Sequence, residues 1–177
     1  MENNSSIREA AVLIPVYRDV TGELRLVLVR RGDQGVHGGE LAFPGGKQDP
    51  GDASLLETAL RETEEEIGLS RQDVEVLATL PRLTTRVSNY RIAPFLGRIR
   101  PSGTWRPAAG EIAEVLEVSV RMLADPDAVV VEEEQQPGWP RAERIAFIQI
   151  GAYRLWGATL HILRPLLPRL MAGEWKV

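Results

Sequence analysis

Apolar and polar positions along the chain alternate with two different periods. Ala10 to Tyr17 and Leu24 to Arg30 are apolar, β-prone runs, and Val20-Thr21-Gly22-Glu23 between them predicts a hairpin turn. Gly32 to Gly39 holds four glycines, one aspartate and one glutamine, and reads as a loop. A short strand, Leu41-Ala42-Phe43, runs into Pro44-Gly45-Gly46, and Asp49-Pro50-Gly51-Asp52 makes a further turn. The period then changes. Leu56, Ala59, Leu60, Thr63 and Ile67 recur at helical spacing, with Gly68 as the stop. Ser54 followed by Glu57 is the capping-box pattern, in which serine accepts a backbone N–H and glutamate reaches back.

Downstream, Val74 to Leu80, Arg91 to Ile99, Val115 to Val118 and Ile145 to Ile150 are predicted strands. Val120 to Ala124 predicts a short helix ended by Asp125-Pro126. Ala152 to Leu163 predicts a longer one, with Leu155, Trp156, Leu160 and Leu163 on one face and Pro165 as an interruption. Strands with a hairpin, one marked internal helix and a C-terminal helix predict a layered α/β domain. No internal repeat or low-complexity stretch divides the chain, so residues 1–177 read as a single domain.

Composition narrows the chemistry. At 44% hydrophobic and 26% charged residues, the chain has the balance of a globular protein with a sizeable core. It contains zero cysteines, which excludes disulfides and thiolate ligands, so a metal site must use oxygen or imidazole. A net charge of -4 argues against nucleic-acid binding, though local arginines can still hold a small anion. The acidic and polar start of the chain is unlike an export signal, and no run is long enough to span a bilayer. These features predict a cytoplasmic protein with no membrane partner.

The candidate chemistry lies in the stretch GGKQDPGDASLLETALRETEEEIGL, residues 45–69. Glu62 and Glu66, four residues apart, share a helix face, and Glu65 flanks the same stripe. Like charges at this spacing cost roughly 0.2–0.5 kcal/mol per pair on an exposed helix. A divalent cation would relieve that repulsion, and Mg²⁺ and Mn²⁺ prefer carboxylate and carbonyl oxygens. A glutamate-rich helix is otherwise most often a solvated face. The Pro-Gly-Gly turn upstream favours the metal reading, because glycine lets a backbone approach a ligand closely.

The segment resembles the Nudix box, G-x5-E-x7-R-E-U-x-E-E-x-G-U with U a bulky aliphatic residue. Gly46, Arg61-Glu62, Glu65-Glu66 and Gly68-Leu69 carry the resemblance. The span from Gly46 to Arg61 is one residue longer than the general pattern, Asp52 stands for the first glutamate, and Thr63 replaces the aliphatic residue. The resemblance implies a Nudix-type α/β/α sandwich with a mixed β-sheet and metal-dependent cleavage of a diphosphate linkage. It implies metal ligation by Glu62, Glu65, Glu66 and the Gly46 carbonyl, with Arg61 orienting the glutamates. A general base often comes from a glutamate outside the box, for which Glu111 and Glu114 are the candidates.

The run His37-Gly38-Gly39-Glu40-Leu41-Ala42-Phe43-Pro44-Gly45-Gly46 is similar to the H-x-G-E/Q-x-x-F-P-G-G segment of coenzyme A pyrophosphatases. That resemblance implies cleavage of coenzyme A to 4′-phosphopantetheine and adenosine 3′,5′-bisphosphate. Arg31, His37, Phe43 and Arg86 are the candidate substrate-binding residues, with Arg30, Arg82 and Arg91 as further cations. Gly32 stands where that subgroup carries serine or alanine, and a second upstream arginine is missing, so ADP-ribose or NADH is the alternative substrate. A non-catalytic nucleotide sensor is a third reading, disfavoured by the complete glutamate set. The family often pairs, which makes a homodimer an expectation. Glu132-Glu133-Glu134 reads as a solvated acidic edge or turn, and the four tryptophans as core or interface residues, with Trp139 in a loop that could line a pocket.

Overall fold

The computed structural model describes residues 7–34, 37–85, 89–101, 103–135 and 141–177. The first hairpin pairs β1 (Arg8–Arg18) with β2 (Leu24–Arg31), in register from Val16 opposite Leu26 to Arg18 opposite Leu24. Asp19 closes the turn by accepting from the backbone N–H groups of Thr21 and Glu23 and from the Arg25 guanidinium. On its other side β1 runs parallel to β7 (Tyr90–Ile99), and β7 pairs antiparallel with β5 (Val74–Thr79) and β6 (Leu83–Thr84). On the far side of β2 lies β8 (Ile112–Ser119), antiparallel and longer than its apolar centre predicts. The sheet is therefore mixed.

Two short strands, β3 (Leu41–Ala42) and β4 (Gly45–Lys47), bring the Pro-Gly-Gly turn into the sheet. Past the hairpin, β1 and β2 diverge, and the chain from residue 41 fills the gap. There β3 pairs with the end of β2, and β4 with the start of β1.

Side-chain alternation along the central strands sends alternate residues to opposite faces. Ala11, Leu13, Tyr17, Val27 and Val29 face α1 (Leu55–Ile67) and bury Ala59, Ile67 and Leu69 beneath the helix. Ile14, Val16, Leu24, Leu26 and Leu28 face the opposite way. They pack against α2 (Val120–Leu123), α3 (Gly157–Leu163), α4 (Leu167–Met171) and a three-stranded sheet of β9 (Val129–Glu134), β10 (Glu143–Ile150) and β11 (Tyr153–Trp156). The layered architecture with a mixed sheet is the expected one.

One element differs from the sequence reading. The first half of the helix expected over 152–163 is strand β11, and the helix begins only at Gly157. Leu155 is buried by pairing opposite Ile148 of β10, so one apolar position served both periods. The acidic run 132–134 is the solvated edge expected, as the end of an edge strand, with Arg154 of β11 bridging Glu132 and Glu134 across the sheet. Among the described residues no helix is long and apolar enough to cross a membrane.

Candidate active site

Helix α1 forms where its local signals predict. The Ser54 hydroxyl accepts the Glu57 N–H at 3.2 Å, and Gly68 ends the helix by donating to the Glu64 carbonyl. Only half of the capping box forms, because the Glu57 carboxylate pairs instead with Arg71 at 2.9 Å. Thr63, the hydroxyl residue in an aliphatic place, is buried and donates to the Ala59 carbonyl at 2.7 Å. A threonine is tolerated there because its polar atom is satisfied within the helix.

The face of α1 turned to the sheet carries Glu62 and Glu66 against β4. Glu66 is 5% exposed, and its Oε2 accepts the Gly45 N–H at 2.9 Å. Gly45 has φ +148°, and a Cβ there would strike the carbonyl of Ala11 on β1. At Gly46 a Cβ would meet the Glu62 carboxylate at 2.5 Å. Sequence reasoning assigned the two glycines to ligand approach; here they also admit the carboxylates themselves.

Burial sets the protonation of the pair. It pushes the Glu66 carboxyl up to about 7, opposed by the Gly45 N–H and the positive charge of Arg31, and reinforced by Glu62 and Glu111. Glu62 is also pushed up by burial, against the pull of Arg61. When ionised, Glu66 has only the Gly45 N–H and the charge of Arg31 to set against its burial, and a hard cation would add counter-charge. The donor set thus fits a divalent ion. Among the described residues, however, no three acidic or imidazole side chains already converge on one point. Glu65 does not join the other two: its side chain is 60% exposed and pairs with Arg61 at 3.1 Å.

Arg61 is the hub of the helix's exposed flank. It reaches Glu62 at 3.0 Å and Glu65 at 3.1 Å, and is anchored from behind by Asp52, whose oxygens accept from Nε at 2.8 Å and from a terminal nitrogen at 3.0 Å. That forked bond holds the Asp52 carboxyl well below the usual carboxylate range. Asp52 was not among the expected site residues, although its place in the box pattern was the available signal.

The other candidates sort by position. Arg31, at the end of β2, and Glu111 both act electrostatically on Glu66. Glu111 sits in a turn pinned at both ends: its carbonyl accepts from Gly32 at 2.7 Å, its N–H donates to Ala108, and Ala108 donates to the Glu66 carbonyl at 2.9 Å. Glu114 is engaged elsewhere, accepting the Tyr153 hydroxyl at 2.7 Å. His37 is exposed and 3.2 Å from Glu40. Phe43, at 3% exposed, packs in the core beyond the sheet and anchors the Pro-Gly-Gly turn rather than offering a surface. Arg30 contacts Asp33 at 2.7 Å and lies over the Tyr153 ring. Arg82 and Arg91 both approach Glu9 at the start of β1. Arg86 and Trp139 lie outside the described residues.

Relatives of the chain bear on this geometry. The sequence profile of the NUDIX domain matches residues 7–139. The chain belongs to the Nudix family. It is similar to the uncharacterised Nudix hydrolase NudL of Salmonella paratyphi B (strain ATCC BAA-1250 / SPB7), 35% identical over 163 residues covering 90% of this chain and 81% of NudL. NudL of Salmonella newport (strain SL254) matches to the same extent. Among solved structures, the Nudix hydrolase RenU of M. smegmatis superposes with a TM-score of 0.66 at 16% identity, covering 100% of this chain and 96% of RenU. The NUDIX domain of Shewanella oneidensis NrtR, solved with ADP ribose, gives 0.55 at 16% identity over 67% of this chain and 77% of that one. At these identities the two structures speak to the fold. Membership of the Nudix family makes the chain a pyrophosphohydrolase, and Nudix hydrolases generally use divalent metal ions, typically Mg²⁺.

Proposed function

We propose that this Nudix hydrolase cleaves the diphosphate of coenzyme A or its thioesters, yielding 4′-phosphopantetheine and adenosine 3′,5′-bisphosphate. The observation that carries the reading is the continuity of the His37–Gly46 segment with the carboxylate site. The motif similar to coenzyme A pyrophosphatases ends in the two glycines that receive Glu62 and Glu66. In this reading Glu62, Glu66 and the Gly46 carbonyl hold Mg²⁺ or Mn²⁺, and Glu65 joins them by turning from Arg61. Held there, a divalent cation would supply Lewis-acid chemistry, offsetting charge on the diphosphate and lowering the pKa of water. Glu111, close enough to Glu66 to act on its charge, is the residue that would accept the proton of the attacking water. Arg31, His37 and Arg86 receive the anionic substrate, while Phe43 supports the turn from within the core. Residues 1–177 act as one domain, cytoplasmic and pairing as a homodimer.

A second reading keeps the reaction and changes the substrate to ADP-ribose or NADH. It is favoured by Gly32, by the missing second arginine, and by the NrtR domain's complex with ADP ribose. The test is a product assay of the purified protein with Mg²⁺ or Mn²⁺, offering coenzyme A, ADP-ribose and NADH in parallel. Preferred release of adenosine 3′,5′-bisphosphate supports the first reading; preferred cleavage of either alternative overturns it. Loss of all cleavage in excess chelator, with return on adding Mg²⁺ or Mn²⁺, is expected in both cases.

A further inference from the structure

Helix α1 holds carboxylates on its inner face and receives a second segment of chain at its C-terminal end. The last carbonyls of a helix have no partner within it. Two of them are taken by one later stretch: the Ile67 carbonyl accepts the Arg106 N–H at 3.0 Å, and the Glu66 carbonyl accepts the Ala108 N–H at 2.9 Å. The Arg106 side chain lies over Gly68, where an added Cβ would meet its Nε at 2.9 Å. Trp105 fixes the start of the stretch. Its indole N–H donates to Glu117 of β8 at 2.7 Å, and its ring packs against the core under α1. From Ala108 the chain turns at once, the Ala108 carbonyl accepting the N–H groups of Glu111 at 3.2 Å and Ile112 at 3.0 Å. Gly110 takes φ +84° in that turn, and its carbonyl lies where a Cβ on Gly32 would meet it at 2.8 Å. Glu111 is thus carried to Glu66 by bonds to the end of the helix that bears Glu66.

We propose that Trp105 is the positioning residue for Glu111. Of residues 105–111 only Trp105 and Ala108 are half-buried, and the others are exposed. Trp105 alone both packs its side chain on the core and bonds it to the sheet. Without that anchor the stretch depends on backbone bonds at the surface, which open and close locally. Glu111 then spends part of its time away from Glu66. Glu62, Glu66 and the Gly46 carbonyl are set by α1 and β4 and stay in place. Trp105 touches neither substrate nor cation and acts through Glu111. The inference rests on the proposed reading of Glu111 as the proton acceptor.

The test is a double-mutant cycle on the full chain: wild type, Trp105→Ala, Glu111→Gln and the double variant. With Mg²⁺, kcat and KM are read on whichever of coenzyme A, ADP-ribose and NADH is cleaved. Without substrate, Mn²⁺ binding is read from the paramagnetic resonance of free Mn²⁺, and amide hydrogen exchange at Arg106 and Ala108 is followed. Glu111→Gln is expected to lower kcat by at least about a hundredfold. Trp105→Ala is expected to lower kcat by about tenfold, within what misplacement by about 1 Å can cost, with KM and Mn²⁺ binding near wild type. Its two amides should exchange at least about tenfold faster. In the Glu111→Gln background the tryptophan substitution should cost less than about twofold more. An equal loss in both backgrounds, lost Mn²⁺ binding in Trp105→Ala, or wild-type exchange there overturns the positioning role. Full rate in Glu111→Gln overturns the reading of Glu111 itself, and the role with it. If Trp105→Ala does not fold, Trp105→Phe, which keeps a ring and loses the N–H, carries the same cycle. Because exchange is read without substrate, failure to cleave any of the three compounds bears on the substrate reading, while exchange still decides whether Trp105 holds the stretch.

Discussion

The two faces of the mixed sheet draw on the same strands and differ in what lies against them. On one face Ile14, Val16, Leu26 and Leu28 meet Ile148, Leu155, Leu163 and Leu166, all nearly inaccessible to solvent and all aliphatic. On the other, Leu13 and Val27 meet a single helix whose buried positions include Thr58, Thr63 and Glu66. The first face gains free energy from apolar area removed from water. The second forgoes part of that gain to hold carboxylates in a low-dielectric setting, where an unpaired charge is costly. One face stabilises the scaffold and the other gives up stability for a charge-binding site.

Truncation on the aliphatic face should break the comparison most strongly. Leu155→Ala is expected to cost about 2–5 kcal/mol in denaturant unfolding, while turnover per folded molecule stays close to wild type. An equal loss of kcat in the folded fraction would show that the faces are not separate.

On the carboxylate face, Glu66→Gln keeps the shape and removes the charge. Turnover with Mg²⁺ should fall by at least about a hundredfold, roughly 2.7 kcal/mol, with the fold intact. Full activity in this variant would remove Glu66 from the site.

Acidity provides a sharper contrast. Burial pushes the Glu66 carboxyl up to about 7 in the folded protein, from an ordinary value of 4.5. The folded state therefore holds the proton more tightly, so this contribution to stability is present in full below 4.5 and is lost as pH rises through 7. The thermal midpoint of metal-free wild type should fall relative to Glu66→Gln over that window, and Mg²⁺ should reverse the fall. Parallel curves for the two proteins would show that Glu66 carries no such strain.

The smallest expected effect is at the end of α1. Ser54→Ala should cost about 1 kcal/mol, since one backbone N–H loses its acceptor, and activity should change little. Glu57→Ala should cost less still, because its partner Arg71 is half-exposed at the surface.

Much of the fold was legible in order along the chain. Helix α1 was readable because its cap, its apolar period and its glycine stop are all local. The hairpin of β1 and β2 was readable for the same reason. Strand β11 was not, because Leu155 and Trp156 fit a helical stripe as well as a strand, and only pairing with β10 distinguishes the two. Strand β9 was hidden behind three glutamates, two of which, Glu134 and Glu132, pair with Arg154 20 and 22 positions away. Spacing alone put Glu65 on the same stripe as Glu62, while the hydrogen bond from Arg61 turns it to solvent.

Family membership, the helix that bears the glutamates and the order of residues along it follow from local sequence, because they depend on neighbours within a few positions. Which carboxylates are buried, which glycine receives which glutamate, and that Asp52 rather than residue 53 holds Arg61 emerge only on folding. The first two depend on β4 pairing with β1 beneath the helix, a contact between segments far apart in the chain that no local pattern encodes, and the third on how the turn before α1 closes.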